Sequence, residues 1–204
     1  MRKYAWLKTA FLILMALVIA RPALAQNTPQ RIRGSVVSLV GDALTVATRE
    51  GLQVSLTLPA GFNPTALKRL AMSDIKPNDF IATVAAPDKD GVLQAVYVAI
   101  FPEALRGTGE GHYDWDLAPG TSMTNATVQS VLAARNGRVL SLAYKGTPID
   151  IAVPEAAPII QNIPASRDDL KPGAKVFVVA DKAADGSLTL RRITVGKDGV
   201  DPPQ

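Results

Sequence analysis

Gly51–Leu58, GLQVSLTL, is the stretch on which the reading of this chain turns. Leu52, Val54, Leu56 and Leu58 are apolar, and Gln53, Ser55 and Thr57 between them are polar. Successive side chains of a strand point to opposite faces, so strict alternation places one face in a core and the other in water. A shift of 95 residues lays this stretch on Gly146–Val153, with Val54 on Ile149, Leu56 on Ile151 and Leu58 on Val153. The match runs without a gap to Ile100 and Val195, through the identities Pro59/Pro154, Asp74/Asp169, Lys76/Lys171, Pro77/Pro172, Asp90/Asp185 and Gly91/Gly186. With one further residue of shift, Leu44 and Val46 fall on Leu140 and Leu142. Turn residues and apolar positions agree in one register, which reads as a tandem duplication; two copies are too few for a solenoid.

Outward from that strand, the first copy predicts strands near 34–40, 43–48, 52–58, 79–86 and 92–100. Gly41-Asp42, Glu50-Gly51 and Asp90-Gly91 separate them, and Asn136-Gly137, Lys145-Gly146 and Asp185-Gly186 do so in the second copy. Such dipeptides suit turns in which φ becomes positive. After the third strand, Asn63-Pro64 resembles a helix start and Leu67, Leu70 and Ala71 form a short apolar stripe, so a helix is expected to about Met72. Pro158 and Pro164 argue against a helix at the corresponding place in the second copy. Both breaks close on similar turns, Ser73–Asn78 and Asp168–Gly173, where proline forces the chain out of helix. Three strands, an optional helix and two strands is the order of an OB-fold, with a generic small β-sandwich as the competing arrangement. The expectation is an all-β chain with at most one short helix: two tandem five-stranded OB-like barrels from an internal duplication. The first occupies 31–101 and the second 124–196, with a linker at 102–123 and a tail at 197–204.

Residues 1–25 read as a secretory signal peptide: basic Arg2, Lys3 and Lys8, an uncharged run Thr9–Ala20, and Ala23-Leu24-Ala25 before Gln26. As a helix that run spans about 18 Å, short of the ~30 Å hydrocarbon core of a bilayer, so cleavage is expected rather than anchoring. The leader holds four of the 22 basic residues and none of the 18 acidic ones, so the remainder is balanced at 18 of each. The sequence pI near 9.4 therefore belongs to the precursor. A balanced product lacks the electrostatic footprint of a nucleic-acid binder. There is no cysteine, which excludes disulfides, thiolate metal sites and a cysteine nucleophile. These features point to an exported, periplasmic product with no membrane span after cleavage.

The run Ile159-Ile160, Asp169-Leu170-Lys171-Pro172-Gly173 and Asp185-Gly186-Ser187-Leu188-Thr189 resembles a domain-of-unknown-function family common in exported bacterial proteins. Phe101–Ala104, Arg106–His112, Trp115–Leu117 and Met123–Thr127 resemble a proteobacterial subgroup carrying two such domains. The first copy departs from the pattern in Asn78, where glycine is usual, and in its helix-like break. The resemblance implies a β-barrel-like fold and a periplasmic setting, and no established activity.

The linker belongs to neither copy and carries the chain's one histidine, His112, and the one tryptophan outside the leader, Trp115. Glu110, His112, Asp114 and Asp116 alternate with Gly111, Tyr113, Trp115 and Leu117. If extended, this stretch puts three carboxylates and an imidazole on one face and the rings on the other. One reading is a divalent-metal site, since these are suitable Zn²⁺, Mn²⁺ or Fe²⁺ ligands. Neighbours two apart on a strand lie ~6.6–7 Å apart, so convergence needs a bend at Gly109 or Gly111. The preferred reading is a solvated acidic face over an aromatic face that plugs the seam between barrels, with Tyr113 and Trp115 at the contact. Arg106 is expected to pair with Glu103 or a linker aspartate.

No nucleophile motif accompanies His112, the glycine run Gly107–Gly111 lacks a phosphate-loop pattern, and nothing marks a sugar cleft. The expectation is a soluble non-catalytic protein with no cofactor. It binds a partner protein, a small ligand or an envelope component through Arg106, Glu110, His112, Tyr113, Asp114, Trp115 and Asp116; divalent-metal binding is the alternative.

Overall fold

The computed structural model describes residues 29–135 and 137–204, so the expected signal peptide and Asn136 lie outside the described residues. Thirteen strands are present among the described residues: β1 Gln30–Val40, β2 Ala43–Thr48, β3 Gln53–Thr57, β4 Thr65–Leu70, β5 Phe80–Pro87, β6 Leu93–Ile100, β7 Gly111–Asp114, β8 Ser122–Ala134, β9 Gly137–Tyr144, β10 Thr147–Pro154, β11 Ile159–Pro164, β12 Lys175–Lys182 and β13 Leu188–Val195. The helical elements among the described residues are three-residue 3₁₀ turns at Met72–Asp74, Glu103–Leu105 and Arg167–Asp169. None is long and apolar enough to cross a membrane.

Strands β8, β9, β10, β6 and β5 close a five-stranded barrel. Its ladders are antiparallel except β10–β6, which meet in parallel at Ala152 and Gln94. Strands β1, β2, β3, β13 and β12 follow the same cyclic order, with the parallel contact at Thr57 and Thr189. Neither ring is contiguous in sequence. The hairpin β5–β6 closes the ring begun by β8–β10, and β12–β13 closes the one begun by β1–β3. The expected self-contained units at 31–101 and 124–196 are therefore not how the strands pair. The two closing hairpins present apolar inner faces of the same kind. Ile81 and Val98 are buried with Leu140 and Ile151, while Val176 and Ile193 are buried with Leu44 and Leu56.

The expected helix after Asn63 is strand β4, which pairs antiparallel with β11 from Thr65↔Pro164 to Leu70↔Ile159. The partner strand supplies a ladder and side-chain burial that a short helix at this place would lack, and it outweighs the local start signal. Because β11 also pairs with β6 and β4 with β13, these two strands join the rings into one continuous sheet.

Two backbone details fit the sequence. Asn78 has φ 72° and Gly173 φ 86°, so asparagine takes the left-handed conformation that glycine takes in the matching turn. Gly34 pairs with both Val176 and Thr48 where β1 passes from one neighbour to the next. A Cβ there would fall on the Ala47 carbonyl oxygen.

Candidate functional site

Alternation in the strands builds two facing walls. In β1, Ile32 points into a core while Arg31 and Arg33 project from the opposite face. Ladder pairing sets them in rows across β1, β12 and β13: Arg31, Val179 and Arg192 in one, Arg33, Phe177 and Thr194 in the next. The outer face of β7, β8, β5 and β6 forms the second wall. Its rows are Tyr113, Met123, Val84 and Tyr97, then Gly111, Asn125, Ala82 and Ala99. Leu67 of β4, with Ile160 and Asn162 of β11, forms the floor. Between the walls lies a cleft of about 330 Å³.

The linker holds the walls together. β7 pairs with the outer edge of β8, and the Trp115 N–H donates to the Thr121 carbonyl at 2.9 Å, closing the loop between them. Leu117 then turns inward and is buried with Ala82, Val84 and Met123. Asp116 crosses to the other ring, where its carboxylate accepts from Arg33 at 2.9 Å and lies 3.7 Å from Arg31. Arg49 donates to the Leu117 carbonyl at 3.0 Å and the Asp116 carbonyl at 3.3 Å. The Arg31 guanidinium lies 4.1 Å above the Trp115 ring, and that of Arg33 4.9 Å above Phe177. Cations so placed gain from the ring quadrupole as well as from the carboxylate.

The cleft is cationic and largely apolar. Arg31 and Arg192 line it together with Tyr97, Phe101, Tyr113, Trp115 and Phe177, and no carboxylate among the described residues does. Arg192 makes no ion pair among the described residues. It remains open to solvent at the cleft, yet desolvation lowers its pKa from the ordinary arginine value, and the charge of Arg31 adds to this. Burial pushes the Tyr97 hydroxyl up to about 12, and Tyr113 moves in the same direction for the same reason. Asn125, 6% exposed, donates from Nδ2 to the Thr108 carbonyl at 3.0 Å, while its Oδ1 has no hydrogen-bond partner among the described residues.

The expected site residues separate into groups. Tyr113 and Trp115 line the cleft, their ring centroids 6.2 Å apart. They form one of its walls and do not plug a seam; the linker side chains that are buried are Leu117, Thr121 and Met123. Asp116 braces the far wall. Arg106 pairs with Glu103 at 2.6 Å and donates to the Asn78 carbonyl at 2.8 Å, away from the cleft. Glu110 accepts from the Lys145 N–H at 2.8 Å, and His112 Nδ1 lies 2.8 Å from the Thr124 hydroxyl, its ring stacked 6.2 Å from Tyr144. Asp114 is exposed on β7.

The four expected metal ligands do not converge. No group of three His, Asp or Glu able to hold an ion occurs among the described residues. The reason is the β7–β8 ladder, which keeps the linker extended where convergence needed a bend. Sequence reading passed over Arg31, Arg33, Tyr97, Asn125, Phe177 and Arg192. The available signal was divergence between copies, since the shift of 95 sets Tyr97 against Arg192 and Ala82 against Phe177. Comparison of the chain with protein-family models, curated proteins and solved structures gives no match.

Proposed function

We propose that this chain is an exported, non-catalytic binding protein of the bacterial envelope, and that the cleft between its two rings is where it takes a ligand. The observation that carries this reading is the cleft itself. It is a concavity of about 330 Å³ with aromatic walls and convergent polar groups, at the small end of the ~300–1,000 Å³ usual for ligand pockets. The leader supports export to a periplasm. The cyclic strand order β1-β2-β3-β13-β12, repeated as β8-β9-β10-β6-β5, supports two OB-like barrels derived from one duplicated unit that have exchanged their closing hairpins. The histidine rests on Thr124 outside the cleft, so no imidazole stands beside the Tyr97 or Tyr113 hydroxyl to act as a general base there.

The test is native mass spectrometry of the protein recovered from the periplasm and re-exposed to a small-molecule extract of that compartment. A retained small molecule, lost when Ala99→Trp fills the cleft, supports the reading. A protein that takes up nothing from the extract, or takes it up equally with the cleft filled, overturns it. Recovery from the cytoplasm with residues 1–25 still attached overturns the export reading separately.

A further inference from the structure

The two walls of the cleft are built on matching rows but differ in charge. Where one ring presents Arg31, Val179 and Arg192, the other presents Met123, Val84 and Tyr97. Where one presents Arg33, Phe177 and Thr194, the other presents Asn125, Ala82 and Ala99. One wall is therefore cationic and the other neutral. Of the three guanidiniums, Arg33 is committed to Asp116 at 2.9 Å, and Arg31 lies on Trp115 with Asp116 at 3.7 Å. Arg192 has no carboxylate among the described residues and lies 5.9 Å from the Phe177 centroid.

From this arrangement we infer that the cleft selects a small organic monoanion, a carboxylate carried on a flat aromatic body, with Arg192 as the anchor for the carboxylate. Three features fix that class. Arg192 is the one guanidinium of this wall without a carboxylate partner among the described residues, and its planar fork matches a carboxylate in bidentate geometry. Tyr97, Tyr113, Trp115 and Phe177 give a flat body apolar and aromatic contact. Asn125 belongs to the cleft lining, and its buried Oδ1, an acceptor, has no partner among the described residues. A volume of about 330 Å³ suits a one- or two-ring acid. The linker carboxylates Asp116 and Glu110 are turned away from it, Asp116 to Arg33 and Glu110 to the Lys145 N–H. The inference rests on the cleft being the ligand site, and its test is arranged to fail separately from that reading.

The probes are 2-naphthoate and its neutral counterpart 2-naphthamide, titrated calorimetrically into the purified protein. The acid is expected to bind about 10–100-fold more tightly than the amide. In Arg192→Gln that preference of acid over amide is expected to vanish; Arg192→Lys, which keeps the charge and loses the fork, is expected to retain part of it. An unchanged near-ultraviolet circular dichroism spectrum shows that Arg192→Gln is folded. Equal binding of acid and amide to the unaltered protein overturns the anion inference and leaves the cleft as the ligand site. Acid preference that survives Arg192→Gln overturns the role of Arg192. If neither probe binds at millimolar concentration the inference falls, while the extract experiment with Ala99→Trp decides the cleft on its own.

Discussion

Asp116, at the end of the linker, holds the guanidinium of Arg33 at 2.9 Å, and the Arg33 side chain is only 4% exposed against 47% for Asp116. The cation is thus taken almost wholly out of water on the strength of a partner from a segment 83 residues away. Its Nε has no partner of its own among the described residues, so the carboxylate carries most of the compensation. Removing one member of a fully buried pair costs about 3–5 kcal/mol, and the half-exposed carboxylate here lowers the expectation for Asp116→Ala to about 1–3 kcal/mol. Urea unfolding of the variant measures it. A loss near zero would show that Arg33 is satisfied in some other way.

The exchange of hairpins gives a direct chemical test. Lys175 of β12 lies opposite Ser35 of β1, its Nζ 3.1 Å from the Ser35 hydroxyl. If each half closed its own ring, the residue facing Ser35 would be the counterpart of Lys175 in the first half, Phe80. The chain has no cysteine, so introduced pairs are unambiguous. Ser35→Cys with Lys175→Cys is expected to oxidise to an intramolecular disulfide seen by gel mobility, and Ser35→Cys with Phe80→Cys is not. The reverse pattern would mean that the halves close separately.

Gly34 is expected to tolerate no side chain. An added Cβ would meet the Ala47 carbonyl and the Thr48 Cα, which are backbone and cannot swing aside as a side chain would. Gly34→Ala should cost at least the ~1–3 kcal/mol typical of overpacking, read as a lower urea midpoint with little change in slope. An unchanged midpoint would mean that β1 shifts its register without cost.

Tyr97 sets an alkaline limit. Its hydroxyl is raised by burial from 10.0 to about 12 in the folded chain. Below pH 10 both states keep the proton and nothing is lost. As pH rises from 10 towards 12 the unfolded chain ionises while the folded chain resists, so stability declines by up to about 1.4 kcal/mol per pH unit. Tyr97→Phe, which keeps the ring, should flatten most of that decline, leaving a part due to Tyr113, whose shift has the same sign. Denaturation midpoints measured across this range test it; identical slopes in both proteins would remove Tyr97 as the cause.

Much of the molecule was open to a reading of residues alone, for a local reason. Alternation is set within a strand, so Leu44, Val46, Leu56 and Leu58 could be assigned to a core, and all four are buried. Glycine-bearing dipeptides place turns by what φ permits, and Gly41, Gly51, Gly91, Gly146 and Gly186 all have positive φ. The sequence reading ties the halves through the rings of Tyr113 and Trp115, whereas it is Asp116 that reaches across to Arg33. The alternative metal reading of the acidic residues needed side chains converging in space, whereas the β7–β8 ladder keeps them apart.

What the chain's own residue order determined was the five strands of each ring and the inward face of each, because both depend on contacts between near neighbours; β4, β7 and β11 were decided by distant partners. Which hairpin closes which ring was decided only by the tertiary structure. Ile81 and Val98 of one hairpin are nearly interchangeable with Val176 and Ile193 of the other, so no local preference separates an exchanged pairing from a self-contained one. The antiparallel pairing of β4 with β11 sends each half across to its counterpart. The cleft follows from that crossing, since it sets the arginine face of one ring opposite the tyrosine and asparagine face of the other.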